Sequence, residues 1–214
     1  MMDRLITAIQ AQKKNHDRVS IFLDGEYGFS LSRLVAAWLQ VGQRLDEKKV
    51  DSLLIADAND VAYSRALRLI DRKPRTTKEI SSRLIEDGFN QGQVATVVQL
   101  LQDAGLISDE QFARQWVENR NELHPRSRKL IALELKQKGI ADEVIEQVLE
   151  GSSPDEESAL QVAMQYARKM QITDRQLFRK RLGGFLMRRG FSYGTIAPVV
   201  QKVLELKESE QHIS

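Results

Sequence analysis

Three glycines, Gly88, Gly139 and Gly190, stand at equal intervals of 51 residues, and the apolar pattern around them recurs with the same interval. Four residues before each glycine come Leu84, Leu135 and Leu186, eight before come Ile80, Ile131 and Leu182, and one after come Phe89, Ile140 and Phe191. Further apolar triplets follow at six after (Val94, Ile145, Ile196) and at nine and ten after (Val97-Val98, Val148-Leu149, Val199-Val200). Upstream, at 27 and 26 before, come Val61-Ala62, Phe112-Ala113 and Ala163-Met164. Eight offsets are therefore apolar in all three copies, where chance at this composition gives roughly three over about forty positions. A period of this length is the signature of a tandem helical repeat.

Each glycine reads as the left-handed residue that ends a helix, with the apolar residue after it folding back onto that helix. Each unit then holds three helices, and its apolar face is too small to be buried alone, so stacked neighbours should share a core. The units are set at 59–107, 108–152 and 153–207, with a flexible tail at 208–214. Helix starts are marked by capping-box spacings: Thr76 with Glu79, Ser108 with Gln111, Ser153 with Glu156 and Pro154 at the first helical position, and Thr173 with Gln176. Pro198 departs from the pattern and fits only if its helix starts near Thr195, where an amide hydrogen would be unpaired anyway.

Residues 1–58 have a different texture and read as a small α+β module. Val19-Ser20-Ile21-Phe22-Leu23 and Glu26-Tyr27-Gly28-Phe29-Ser30-Leu31 flank Asp24-Gly25, a strong signal for a tight hairpin. Leu5-Ile6-Thr7-Ala8-Ile9 supplies a third strand. Leu34, Val35, Trp38 and Leu39 recur at helical spacing, and a second short helix is expected at about 46–56. The fold class is thus mostly α: three tandem three-helix repeats behind a hairpin module.

Composition narrows function by exclusion. There is no cysteine, which rules out disulfides, thiolate metal sites and cysteine nucleophiles and suits a reducing cytosol. His16, His124 and His212 are too scattered for a metal cage, so no cofactor is expected. No apolar run is long enough to cross a bilayer, and the N-terminus lacks the apolar core of a secretory signal. Asp109 and Glu110 sit in the first turn of a helix, where acids favour the dipole, so they read as capping and not as acid–base chemistry. No Walker-type loop or nucleophile elbow occurs. A cytoplasmic, non-enzymatic monomer is the expectation.

Net charge is only +2, but residues 151–206 carry nine basic against five acidic side chains. Arg126, Arg128 and Lys129 form a basic cluster where the middle repeat's second helix begins, with Arg120 just before it. A cation at a helix N-terminus opposes the macrodipole, so the cluster reads either as a contact for acidic protein or DNA phosphate or as a solvated face. Arg179-Lys180-Arg181 and Arg188-Arg189 flank the third repeat's second helix. Arg181 and Arg188 share a face, and Arg188 and Arg189 also lie where a helix C-terminus favours cations. Arg65, Arg68 and Arg72 form a stripe that reads as an exposed face. Phe112 and Trp116, spaced i, i+4, read as core, as does Trp38.

The segment Leu106-Ile107-Ser108-Asp109-Glu110-Gln111-Phe112-Ala113-Arg114-Gln115-Trp116-Val117-Glu118-Asn119-Arg120 resembles a characteristic segment of the RecX regulatory proteins. Leu133-Glu134-Leu135-Lys136-Gln137-Lys138-Gly139-Ile140 resembles the segment that follows it there, and Tyr63 to Leu67 with Leu84 to Phe89 resembles the family's first repeat. The match spans roughly 60–206, and the hairpin module is similar to an extension carried by one branch. Gly183-Gly184, inside helix two of the third repeat, departs from the pattern. The resemblance implies a core of three helical repeats, no catalysis, and a RecA filament as partner, with single- or double-stranded DNA inside the filament as a further contact. It implies modulation, chiefly inhibition, of the recombinase, ATPase and coprotease activities. The alternative is a stand-alone DNA-binding helical protein, against which the near-neutral charge counts.

Overall fold

The computed structural model describes residues 3–170 and 174–213, with side chains to residue 209. The chain divides into two compact units, one ending at Ile107 and the other beginning at Ser108.

In the first unit, β1 (Arg4–Ala11), β2 (Arg18–Leu23), β3 (Glu26–Ser32) and the two-residue β4 (Arg44–Leu45) form an antiparallel sheet in the order β3-β2-β1-β4. The hairpin turn lies at Asp24-Gly25, and both residues have positive φ (54° and 90°), as a tight primed turn demands. Alternation along the strands puts Ile6, Val19, Ile21, Leu23, Leu31 and Leu45 on one face, where they bury with Ala36 and Leu53. The helix expected after β3 is a single turn, α1 (Arg33–Ala36). Trp38 falls beyond its end and is 90% exposed, so its assignment to the core is corrected.

The short helix expected at 46–56 is the start of one 26-residue helix, α2 (Glu47–Arg72), which runs through position 58. Nothing in the segment breaks it, since it holds neither glycine nor proline. Its first half packs Leu53 on the sheet, and its second half packs Ala62 and Ala66 toward α3 (Thr77–Glu86) and α4 (Gln91–Asp103). Asp57, buried mid-helix, is satisfied by Ser32 N–H at 2.6 Å and by Arg18 Nη2 at 2.8 Å, which fastens the sheet to α2.

The second unit holds α5 (Asp109–Leu123), α6 (Arg128–Gln137) and α7 (Asp142–Glu150), then α8 (Asp155–Ala167), α9 (Arg175–Met187) and α10 (Tyr193–Ile213). The three spaced glycines end α3, α6 and α9 with φ of 95°, 84° and 85°. In each case the amide after the glycine reaches back five residues, to Leu84, Leu135 and Leu186, as a Schellman motif requires. The repeated offsets point inward: Ile80, Leu84, Ile131, Leu135, Leu182 and Leu186 are at most 1% exposed, while Val61 falls outside the pattern at 39%.

The shared core is corrected. Each repeat buries its own apolar cluster, around Ile80 and Leu84, Ile131 and Leu135, and Leu182 and Leu186. The inward offsets close within a repeat, and hydrogen bonds join the second and third repeats. Ser127 N–H donates to the Arg189 carbonyl (3.0 Å), and Arg128 N–H donates to Asp155 (2.8 Å).

The caps are mixed. Thr76 and Glu79 form a full capping box, as do Asn90 and Gln93, while Ser108 accepts from the Gln111 amide. Ser153 caps nothing: α8 begins at Asp155 behind Pro154. Thr173 lies outside the described residues, and Asp174 caps α9. Pro198 sits inside α10, five residues past its first residue, and removes one helical bond there instead of falling in an unpaired first turn. Position 208, where the sequence sets the tail, is still helical, and Glu208 accepts both Arg175 donors at 2.6 and 2.7 Å.

Candidate partner interface

The cationic residues singled out from sequence have two different fates. In the second repeat, Glu134 of α6 is the hub. Its side chain is 14% exposed and accepts from Trp116 Nε1 (2.8 Å), from Arg120 Nε (2.9 Å) and from Arg126 Nη1. Arg120 also stacks 4.3 Å over the Trp116 ring, which in turn stacks on Phe112. Burial pushes the Glu134 carboxyl up, but hydrogen bonds from Arg120 and Trp116 and the charges of Arg120 and Arg126 outweigh it. The group is held below the usual glutamate range. Arg128 turns toward the segment after α7 and donates through Nε to the Ser153 carbonyl (3.2 Å) and through Nη2 to that of Ser152. Lys129 is the exposed member of this cluster, and it meets no carboxylate among the described residues.

In the third repeat the pattern is reversed. Lys180 and Arg181 on α9, and Arg188 at its end, are exposed and meet no carboxylate among the described residues. Arg179, also exposed, donates to Gln201 of α10. Arg189 is the exception: it stacks 4.1 Å over Phe185, and its Nε is buried with no hydrogen-bond partner among the described residues. Burial, with the charges of Arg126 and Arg188 nearby, holds its pKa below the ordinary arginine value. Sequence reasoning passed over Met187 and Tyr193, which are 63% and 79% exposed beside these cations. The signal available was the glycine pair at 183–184, which interrupts the apolar pattern of the helix.

In the first unit, Arg65 does not stand free in its stripe. Its Nε donates to Asp87 at 2.6 Å, which raises its own pKa and lowers that of Asp87, and Arg83 shares the same carboxylate. Arg65 and Arg68 line a cleft of about 470 Å³ with Arg18 and Asp60.

Such an arrangement offers exposed guanidinium and ammonium groups for salt-sensitive contact with anionic surfaces. Among the described residues, no cluster of histidine, aspartate or glutamate could hold a metal, and no helix is long and apolar enough to cross a membrane. The class is a tandem three-helix-repeat protein preceded by a small antiparallel sheet. Four family models match in succession: the RecX N-terminal domain at 4–46 and the first, second and third RecX three-helix domains at 62–101, 108–149 and 154–200. The chain is 30% identical over 211 residues to the regulatory protein RecX of Bacillus pumilus, covering 96% of this chain and 80% of that one. To the Clostridium acetobutylicum regulatory protein RecX it is 28% identical, over 95% and 98% of the two chains. A crystal structure of a regulatory protein RecX superposes with a TM-score of 0.71 at 28% identity, covering 90% of this chain and 96% of that one. RecX from Lactobacillus salivarius gives 0.61 at 25%, covering 69% and 97%. The chain belongs to the RecX family of regulatory proteins.

Proposed function

We propose that this chain is a non-catalytic, cytoplasmic regulator that binds the RecA filament as a monomer and inhibits its recombinase, ATPase and coprotease activities. The observation that carries the reading is that Lys129, Lys180, Arg181 and Arg188, from the two basic clusters, are exposed and meet no carboxylate among the described residues, in a chain of the RecX family. A repetitive nucleoprotein target suits several weak charge contacts, each screened by salt. The reading as a stand-alone DNA binder is less well supported, because Arg120, Arg126 and Arg128 are engaged within the chain and the net charge is only +2.

The test is a pull-down with purified RecA, with and without single-stranded DNA and nucleotide, followed by titration of RecA ATPase. Binding that requires the assembled filament supports the reading, and equal binding to naked DNA overturns it. The Lys180→Glu/Arg181→Glu/Arg188→Glu variant should need about tenfold more protein for the same inhibition, a loss of the size expected when several surface charges are reversed. Inhibition equal to wild type would remove these residues from the interface. Reversal at Arg126 and Arg128 is less informative alone, because both also hold the fold together.

A further inference from the structure

A cleft of about 340 Å³ lies between α9 and α10 in the third repeat. Its floor is made by Gly183, Gly184 and Ile196, and Arg179, Lys180, Met187 and Tyr193 stand around it. Glycine inside a helix is unfavourable, second only to proline, and here two occur together in a 13-residue helix. Their backbones do not ask for glycine, since neither has positive φ. Their packing does not ask for it either. A methyl group on Gly183 would meet Ile196 Cγ2 at 3.7 Å and one on Gly184 would meet Arg188 Nη1 at 3.6 Å, both ordinary contacts. Gly190 differs, because a methyl group there would come within 2.6 Å of Ser127 Oγ. The glycine pair therefore deepens the cleft at the expense of the helix, with no return inside the folded chain.

The surroundings indicate what would fill the space. Met187 and Tyr193, 63% and 79% exposed, extend the apolar floor outward. The polar groups are on the rim, and Arg179 and Lys180 make that rim cationic. The amide in the lining, Gln201, is engaged within the repeat, accepting from Arg179 and donating to Glu205.

We propose that this cleft takes an acidic segment of a protein partner, seating one large apolar side chain over Gly183-Gly184 while flanking carboxylates meet Arg179 and Lys180. That the segment belongs to the filament protein rests on the reading above; the cleft itself does not.

The experiment uses the full chain and a fluorescent peptide of about twelve residues, rich in Asp and Glu around one central Phe, as probe for this helix-groove mode. Anisotropy should show saturable binding that fails when Phe becomes Ala or when the acids become Lys. Gly183→Ala/Gly184→Ala should raise the unfolding midpoint, because alanine favours the helix, and weaken peptide binding about tenfold or more. Met187→Glu, at an exposed site, should weaken it as much with folding unchanged. Unaltered binding by either variant, or displacement of the peptide by an oligo-dT of similar length in preference to unlabelled peptide, overturns the proposal. If filaments bind wild type and the double-alanine variant equally and the peptide does not bind, the cleft assignment falls and the filament reading stands. If the peptide binds and filaments do not, the cleft stands and the filament reading falls.

Discussion

The second and third repeats both carry clustered cations around their second helices, and they use them in opposite ways. Aligned on their closing glycines, Glu134 of the second repeat corresponds to Phe185 of the third, and Lys138 corresponds to Arg189. With a carboxylate at the first position, Arg120, Arg126 and the Trp116 indole converge on it. With an aromatic ring there, Arg189 stacks on the ring instead, and Lys180, Arg181 and Arg188 face solvent. The first repeat solves the same corner a third way. Its acid is one position before the glycine, at Asp87, and Arg65 and Arg83 gather there. Whether a cation is available to a partner is set by the carboxylates within reach of it, and not by how many positive charges adjoin it in sequence.

Removing the hub should give the largest effect. Glu134→Ala leaves Arg120, Arg126 and the Trp116 N–H without their shared acceptor, and loss of one partner from a largely buried charge cluster costs about 3–5 kcal/mol. Urea unfolding followed by Trp116 fluorescence measures it, in a Trp38→Phe background that removes only an exposed indole. Glu134→Gln keeps an acceptor for the indole and should lose less. Equal stability of Glu134→Ala and the parent would mean that the arginines are as free in the second repeat as in the third.

The closing glycines sharpen the comparison in a second way. Gly88→Ala meets only the strain of positive φ, because nothing lies within 4 Å of the added methyl, and should cost about 1–2 kcal/mol. Gly190→Ala adds collisions with Ser127 Oγ at 2.6 Å and Leu130 Cβ at 2.8 Å, and overpacking of that kind adds about 1–3 kcal/mol. Circular-dichroism melts of the two variants should therefore differ, with Gly190→Ala the lower. Equal melting points would mean that the joint between the second and third repeats yields easily.

Much of this was legible in sequence, and what was missed has a physical cause. The repeat, its glycine stops and the hairpin at Asp24-Gly25 follow from local rules of chirality and periodicity, which the chain obeys wherever it folds. Burial of Trp38 failed because α1 stops after one turn, and helical spacing beyond a helix end points nowhere in particular. The break expected before α2's second half failed because Asp57, polar and mid-helix, is satisfied by Arg18 from a strand 39 residues earlier. The same blindness applies to the cations. Arg126 and Arg128 adjoin Lys129 in sequence, but their partners at 134, 152 and 153 are visible only once α6 and the turn after α7 are placed.

The pH dependence of the second repeat is a smaller effect with a definite sign. The folded-state pKa of Glu134 is depressed, so its contribution is complete above the unfolded glutamate value of about 4.3 and is lost as pH falls through the lower folded value. The stability gap between wild type and Glu134→Gln should thus be constant near neutrality and close only below about pH 4. A gap that closed between pH 5 and 7 would place the titration on another group.

The smallest effect on stability is expected where the largest effect on binding is proposed. Lys180→Gln/Arg181→Gln/Arg188→Gln removes three exposed charges that meet no carboxylate among the described residues, and such surface changes usually stay within about 0.5 kcal/mol. Three cations this close on one helix repel one another, so a slight gain in stability is the expected direction at low salt, fading as salt is added. Filament binding by the variant should then be weaker and less salt-dependent than that of wild type, because the screened contacts are the ones removed. Arg120→Gln/Arg126→Gln provides the contrast, with the opposite result: a clear loss of stability and, under conditions where it remains folded, binding close to wild type. If instead the third-repeat variant unfolds early and the second-repeat variant keeps its stability, the division of cations between internal and external roles is reversed.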